Sequence, residues 1–512
     1  MSASSNPLVD RLLAPLAESD RPLIIHPNGE RLSYRALFDR AGQIANHLQA
    51  CGVTPGERVA VQTAKSAQAL ALYFACLRAG AVYLPLNPAY TPAEVGYFLE
   101  DAEPRLLVAD PAKEEALRPL AAGCGAEVLT LDAEGQGSLT SAADQASADF
   151  ETVARAPDDL VAILYTSGTT GRSKGAMLSQ ENQLSNALTL TALWRFQPDD
   201  VLLHALPIFH SHGLFVATSC ALAAGAAMIF LPRFDAGEVA ALLPQATAMM
   251  GVPTFYTRLL DQPAFTREAV AGMRLFTSGS APLLAETHRA FEARTGHRIL
   301  ERYGMTEINM STSNPYVGAR KAGTVGLPLP DVDLRIVDAE SGQAVTGEGV
   351  GVIEVKGPNV FQGYWRQPEK TAAEFRADGF FITGDLAHYD EDGYVVIVGR
   401  AKDLIITGGF NVYPKEVEAA LDALPGVLES AVIGVPHPDF GEGIVAVVVP
   451  EAGAALTESG LLGGLADQLA KFKQPKRIAL VESLPRNTMG KVQKKELREI
   501  YAESFKAPAQ QK

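Results

Sequence analysis

Residues Val161–Gly175 read VAILYTSGTTGRSKG. The first six are apolar and β-favouring, the texture of a short strand buried on both faces. The rest pack glycines, hydroxyls and a lysine into a loop, and Ser179 is placed to cap a helix beyond it. Glycines let a backbone approach a polyphosphate, Ser and Thr hydroxyls and free N–H groups donate to its oxygens, and Lys174 supplies charge. A surface turn needs no such cluster after a buried strand. The spacing is not that of a Walker loop, because GxxxxGK[ST] is absent. Similar strand-like runs, RVAVQT (Arg58–Thr63), AVYLPL (Ala81–Leu86) and RLLVAD (Arg105–Asp110), alternate with helical stretches such as Tyr34–Ala50. That alternation predicts an α/β fold of mixed β-sheets covered by helices.

The chain has 512 residues, too many for one ordinary core, so at least two domains are expected. Hydrophobic residues make up 47% and charged residues 20%, the balance of a globular protein. With 44 Lys and Arg against 59 Asp and Glu, the formal charge of −15 opposes nucleic acid and anionic membranes as partners. Four scattered cysteines (Cys51, Cys76, Cys124, Cys220) suggest neither a disulfide framework nor a zinc site, and fit a reducing cytoplasm. Asp10, Arg11 and Glu18 interrupt the N-terminus before an export signal could form. From Gly213 to Pro232 no residue is charged, but Ala, Gly, Ser and Thr make lipid transfer weak; a buried helix, a break at Gly225 and a strand ending at Leu231 are expected instead.

Residues Glu127–Ala156 read as a loose excursion between core strands. Near Gly399–Asp403 the texture changes after the strand-like YVVIV (Tyr394–Val398). The division predicted is a large domain over 1–400, a hinge near 401–402 and a small mobile α+β domain over 403–512. The small domain should hold helices at Pro414–Ala423, Leu461–Phe472 and Lys494–Phe505, with strands at Ser430–Val435, Ile444–Pro450 and Arg477–Val481.

Four further motifs follow in order: LPIFHSHGL (Leu206–Leu214), ERYGMTE (Glu301–Glu307), FITGD (Phe381–Asp385) with GRAKD (Gly399–Asp403), and PRNTMGK (Pro485–Lys491). Together with the glycine loop they resemble the acyl-adenylating superfamily of acyl-CoA synthetases, luciferase and peptide-synthetase adenylation domains, over essentially the whole chain. The resemblance implies an AMP-forming acid–thiol ligase, in which a carboxylate displaces pyrophosphate from ATP and a thiol then takes the acyl group. It assigns ATP to Thr166, Ser167, Gly168, Thr169, Thr170, Gly171, Lys174, Tyr303, Gly304, Asp385 and Arg400. Catalysis falls to Thr306, Glu307 and Lys491, and Mg²⁺ to Glu307 and Thr166. Asp385 can accept from both ribose hydroxyls, while Lys491 would bridge the attacking oxygen and the α-phosphate. Lys402 becomes a hinge about which Gly408 and Gly409 replace Lys491 and open a path for the pantetheine of CoA. Read alone, each has a plainer explanation: a helix-start Glu, a turn Asp, a solvated Lys, a tight Gly-Gly turn.

For the acid, MMGVPTFYTRLL, GPNVFQGYW and LPRNTMGKVQK resemble malonyl-CoA synthetases. A pocket of His210, Ser280 and Arg289 is then expected to hold a distal carboxylate, although Arg289 alone would more often be a surface residue paired with Glu286. Malonate, ATP and CoA are the expected small-molecule substrates, with methylmalonate also accepted. Synthetases for another small, medium-chain or aryl acid, an amino-acid adenylation enzyme and a non-catalytic nucleotide-binding protein are the competing readings. No Asp stands in the FHSH region to receive an α-amino group, and no carrier domain follows Lys512. Asn487 and Phe381 depart from commoner Thr and Tyr without removing a charge. The family also implies that a lysine acetyltransferase acting on Lys491 would silence the enzyme by removing its charge.

Overall fold

The computed structural model describes residues 5–166, 173–338, 341–345, 347, 349–408, 410–466, 468–487 and 490–505. Ser167, Gly168, Thr169, Thr170, Gly171 and Gly409, all named above, lie outside the described residues.

Two large sheets make the core. A six-stranded sheet runs Glu127–Thr130, Leu106–Ala109, Arg58–Gln62, Val82–Pro85, Leu160–Thr166 and Lys174–Ser179. Its first five strands are parallel and the last turns back. A nine-stranded sheet places Leu300–Met305, Leu275–Ser278, Ala248–Gly251, Val201–His204, Ala227–Phe230 and Pro22–Ile25 parallel, with antiparallel strands at both edges. Helix Ala67–Ala79 is buried along its length, which suits its apolar sequence AQALALYFACLRA, and belongs to one apolar core with residues of both sheets. Helix Tyr34–Ala50 has the predicted limits and is capped by the Ser33 side chain.

Several local expectations change. The glycine loop does not lead straight into a helix: Lys174–Ser179 runs antiparallel to Leu160–Thr166, with Thr166 opposite Lys174, and only then does helix Gln180–Leu193 begin, capped by Ser179. Thr166 and Lys174 are therefore the last facing pair of two antiparallel strands. Within the excursion Glu127–Ala156 lie the edge strand Glu127–Thr130 and the helix Ser138–Ala143, elements too short for periodicity to reveal. The uncharged stretch folds as a π-helix His212–Thr218, a helix Ser219–Ala224, a left-handed Gly225 and the strand Ala227–Phe230. Among the described residues, no helix is long and apolar enough to cross a membrane.

A third, antiparallel sheet contains Asp333–Val337, Gly351–Lys356, Phe381–Tyr389 and Val395–Arg400. After the 3₁₀ turn Ala401–Asp403 the chain enters a fourth sheet of Ile405–Thr407, Phe410–Val412, Val427–His437, Gly441–Pro450 and Arg477–Leu480. The hairpin Ile405–Val412 was not expected. The helices of this unit are shorter than predicted, Glu458–Leu465 and Lys494–Ile500, the first weakened by Gly463 and Gly464.

Candidate active site

The C-terminal ends of parallel strands from both large sheets converge, the usual place for a site in open α/β sheets. Thr166 ends Leu160–Thr166, Ser280 follows Leu275–Ser278, and the strand Leu300–Met305 runs into the 3₁₀ turn Thr306–Ile308. Alternation along Leu300–Met305 directs Glu301 and Tyr303 to one face and Arg302 to the other.

On the first face the Tyr303 hydroxyl donates to Asp385 Oδ2 at 2.6 Å, and Arg400 Nε lies 2.7 Å from Asp385 Oδ1. The two partners arrive together because Asp385 and Arg400 are directly opposite in adjacent strands. A Cβ on Gly304 would run into the Asn309 carbonyl, so this close turn admits only glycine. Glu301 is buried; it accepts from the Leu283 N–H at 3.3 Å through Oε1, and Oε2 has no partner. Burial pushes its carboxyl up to about 8. Glu301 lies within ERYGMTE, but the motif assigns it no role.

Glu307 is buried, and burial pushes its carboxyl above the usual range against hydrogen bonds from Tyr364 and Thr166. The Thr166 hydroxyl donates to Glu307 Oε1 at 3.2 Å. Thr306 is half-buried beside it. Lys174 does not point its charge freely into the loop: its ammonium lies 3.1 Å from Glu374 Oε1 and 4.0 Å from the Tyr364 ring centre.

The opposite face is cationic. Arg302 is buried, no acidic residue among the described residues pairs with it, and its Nε and Nη2 have no hydrogen-bond partner. Burial brings this guanidinium down to about 10, so it remains charged at neutral pH. A Cβ on Gly279 would collide with it, and that glycine lets it lie flat against the backbone. Ser280 Oγ is 3.2 Å from His212 Nδ1, whose buried Nε2 is also without a partner. His210 Nδ1 accepts from the His212 N–H at 3.3 Å. Burial, with the charges of Lys491 and Arg302, pushes His210 down to about 3, leaving it neutral.

Arg289 requires a correction. Helix Ala285–Thr295 buries Thr287, His288, Phe291 and Thr295 and turns Arg289 to solvent. Helix periodicity does not say which face meets the core; the buried arginine beside Ser280 is Arg302. Arg302 and His212 were both missed as separate positions, although each lies inside a quoted motif.

Lys491 comes to this site from the fourth-sheet unit. A Cβ on its neighbour Gly490 would meet Thr254 of the large unit at 3.3 Å. Lys491 is exposed, yet desolvation of its ammonium, then Arg400, holds it below the usual lysine range, opposed by Asp385 and Glu307. Gly408 instead sits beside Phe440 of its own unit, and Lys402 is exposed in the Ala401–Asp403 turn.

Residues 15–365 match the model of the AMP-binding enzyme family, and residues 416–491 that of the AMP-binding enzyme C-terminal domain. The chain belongs to the AMP-binding enzymes. Among relatives of this family it is 35% identical to malonate–CoA ligase of Arabidopsis thaliana, covering 97% of this chain and 90% of that one. It is 37% identical to feruloyl-CoA synthase of Amycolatopsis sp, covering 93% and 95%. The crystal structure of ATP-bound MatB from Rhodopseudomonas palustris superposes with a TM-score of 0.96 at 59% identity, over 98% of this chain and 99% of that one.

The buried Glu301 yields a stability test. Its folded pKa is raised, so its favourable contribution is complete below the unfolded carboxyl pKa and is lost as pH rises toward 8. Thermal melts of Glu301→Gln should gain on wild type between pH 5 and pH 8, by roughly 1–3 °C; a constant difference across that range would show that Glu301 is ionised throughout.

Proposed function

We propose that this AMP-binding enzyme is a malonyl-CoA synthetase. One carboxylate oxygen of malonate attacks the α-phosphorus of ATP and pyrophosphate leaves; the CoA thiol then attacks the acyl carbon of malonyl-AMP, loses its proton, and AMP leaves. The observation that carries the reading is Arg302: a buried guanidinium without a protein carboxylate is costly unless an anion meets it. The distal carboxylate of malonate supplies that anion, with the unpartnered His212 Nε2 and Ser280 beside it and His210 lining the approach. Similarity to malonate–CoA ligases supports the same acid. An aryl acid, as the name of feruloyl-CoA synthase suggests for that relative, would leave Arg302 unneutralised. Methylmalonate keeps the second carboxylate and should be a slower substrate.

In this reading Asp385 and Arg400 take the ribose, Tyr303 and Gly304 flank the nucleotide, and Ser167, Gly168, Thr169, Thr170 and Gly171 face the phosphates. Thr306 donates to the α-phosphate. Lys491 offsets the repulsion between malonate and ATP as they react. Gly408, Gly409 and the Lys402 hinge serve the later thiol step. Among the described residues no cluster of three or more acidic, His or Cys side chains is available to a metal. A single buried carboxylate with a neighbouring hydroxyl nevertheless fits Mg²⁺, which shares substrate phosphates and keeps its waters. Glu307 and Thr166 would hold it, and when bound it would spread the triphosphate charge. Four free cysteines support a reducing compartment such as the cytoplasm.

Pyrophosphate release across a panel of acids should rank malonate first, then methylmalonate, with acetate, octanoate and benzoate far behind; an aryl or aliphatic acid at the top would reject the assignment. Arg302→Met should lower kcat/KM for malonate by at least about 100-fold while ATP binding persists. Lys491→Ala should lose malonyl-AMP formation yet keep thioester formation from supplied malonyl-AMP. For the same reason adenylation should fall as pH rises through the lowered ammonium pKa, and acetylation of Lys491 should mimic the loss. Equal damage to both half-reactions in Lys491→Ala would contradict the division of labour.

A further inference from the structure

The phosphate hairpin closes on the facing pair Thr166 and Lys174. The side chains of these two residues are joined by a second route, outside the hairpin. Thr166 donates to Glu307 Oε1 at 3.2 Å, and the Tyr364 hydroxyl lies 3.1 Å from the same oxygen. That hydroxyl is 2.7 Å from Glu374 Oε2, and Glu374 Oε1 is 3.1 Å from Lys174 Nζ. The chain Thr166, Glu307, Tyr364, Glu374, Lys174 thus closes a ring around the neck of the loop.

The backbone makes the ring rigid. The Phe361 N–H donates to the Glu307 carbonyl at 2.8 Å, and the Trp365 N–H donates to the Gly175 carbonyl at 2.7 Å. Tyr364 itself bridges Ala176 and is buried. The segment Phe361–Trp365 is therefore fastened both to the turn that bears Glu307 and to the returning strand of the hairpin. Its phenol has one proton for two carboxylates. Glu374 already receives Lys174 and, at 2.8 Å, Lys370. The hydroxyl sits between the two carboxylates, 2.7 Å from Glu374 and 3.1 Å from Glu307, so Glu374, itself anchored by two ammonium groups, fixes where the phenol stands against Glu307. Thr166 and Tyr364 both engage Oε1, and neither holds Oε2.

We propose that Tyr364 and Glu374 are positioning residues: they fix the Glu307 carboxylate so that Oε2 faces the metal-bearing phosphates, and they tie its orientation to the neck of the phosphate hairpin through Lys174. Lys174 acts inward on Glu374 and reaches the phosphates only through that ring. The inference rests on the assignment of Glu307 to the metal of ATP, and is independent of which acid the enzyme uses.

The test is calorimetric binding of a non-hydrolysable ATP analogue, α,β-methylene-ATP, to the full-length protein without malonate or CoA, in Mg²⁺ and in EDTA. The ratio of the two affinities isolates the metal-dependent part. Tyr364→Phe keeps the ring and its packing and removes only the hydroxyl. It should cut that ratio roughly tenfold, the scale of one hydrogen bond to a charged group, while affinity in EDTA stays within about twofold and the melting temperature is retained. Glu374→Gln should cut the ratio in the same sense, and Tyr364→Phe/Glu374→Gln should lose less than the two effects combined, as members of one network do. Glu307→Gln is the reference. If Glu307→Gln abolishes the Mg²⁺ effect but Tyr364→Phe leaves it intact, the positioning role is wrong and the metal assignment stands. If Glu307→Gln leaves it intact, the metal assignment and the inference both fall.

Discussion

A positive charge taken out of water must be met by a negative one, and Arg302 has no such partner among the described residues. Its cost is tolerable only if a ligand offsets it. Much of the local architecture serves that position: Gly279 makes room for the guanidinium, Ser280 and His212 stand beside it, and the π-helix His212–Thr218 presents His212. A π-helical turn is rare and found often at functional sites. An acid with one carboxylate and an apolar tail would gain nothing from this arrangement.

The strand Leu300–Met305 divides the labour by its pleat. Glu301 and Tyr303 point to the side where Asp385 and Arg400 form a fixed polar cluster, while Arg302 points to the side where the acid would sit. In the proposed function nucleotide and acid would thereby meet at one short strand, and the turn Thr306–Ile308 at its end carries Glu307. Lys491 enters from the fourth-sheet unit, next to the charges of Asp385 and Glu307. Chain charge takes on meaning here. A protein at −15 must recruit anionic substrates with a few local cations, and those cations lie where two sheets end.

Much of this was legible before the structure. Strands rich in Val, Leu and Ala between helical stretches implied the sheets, and ordered motifs singled out Thr166, Glu307, Asp385, Arg400 and Lys491, which the fold brings near one another. What remained hidden was direction. Arg289 and Arg302 look alike in a sequence; only packing turns the first to solvent and buries the second. Tyr364 lay within a quoted stretch, GPNVFQGYW, without a role, because its function depends on Glu307 and Glu374 reaching it from separate parts of the chain. The strand Lys174–Ser179 is hard to read because KGAMLS carries three small residues and one turn-like lysine, a weak β signal overridden by pairing with its neighbour.

The most direct test of the central claim is a crystal structure with a stable malonyl-adenylate mimic, such as the malonyl sulfamate of adenosine. The account predicts the distal carboxylate within hydrogen-bonding distance of Arg302 Nε or Nη2 and His212 Nε2, with the ribose on Asp385. A distal carboxylate in solvent or on Arg289, with Arg302 still unpaired, would contradict it.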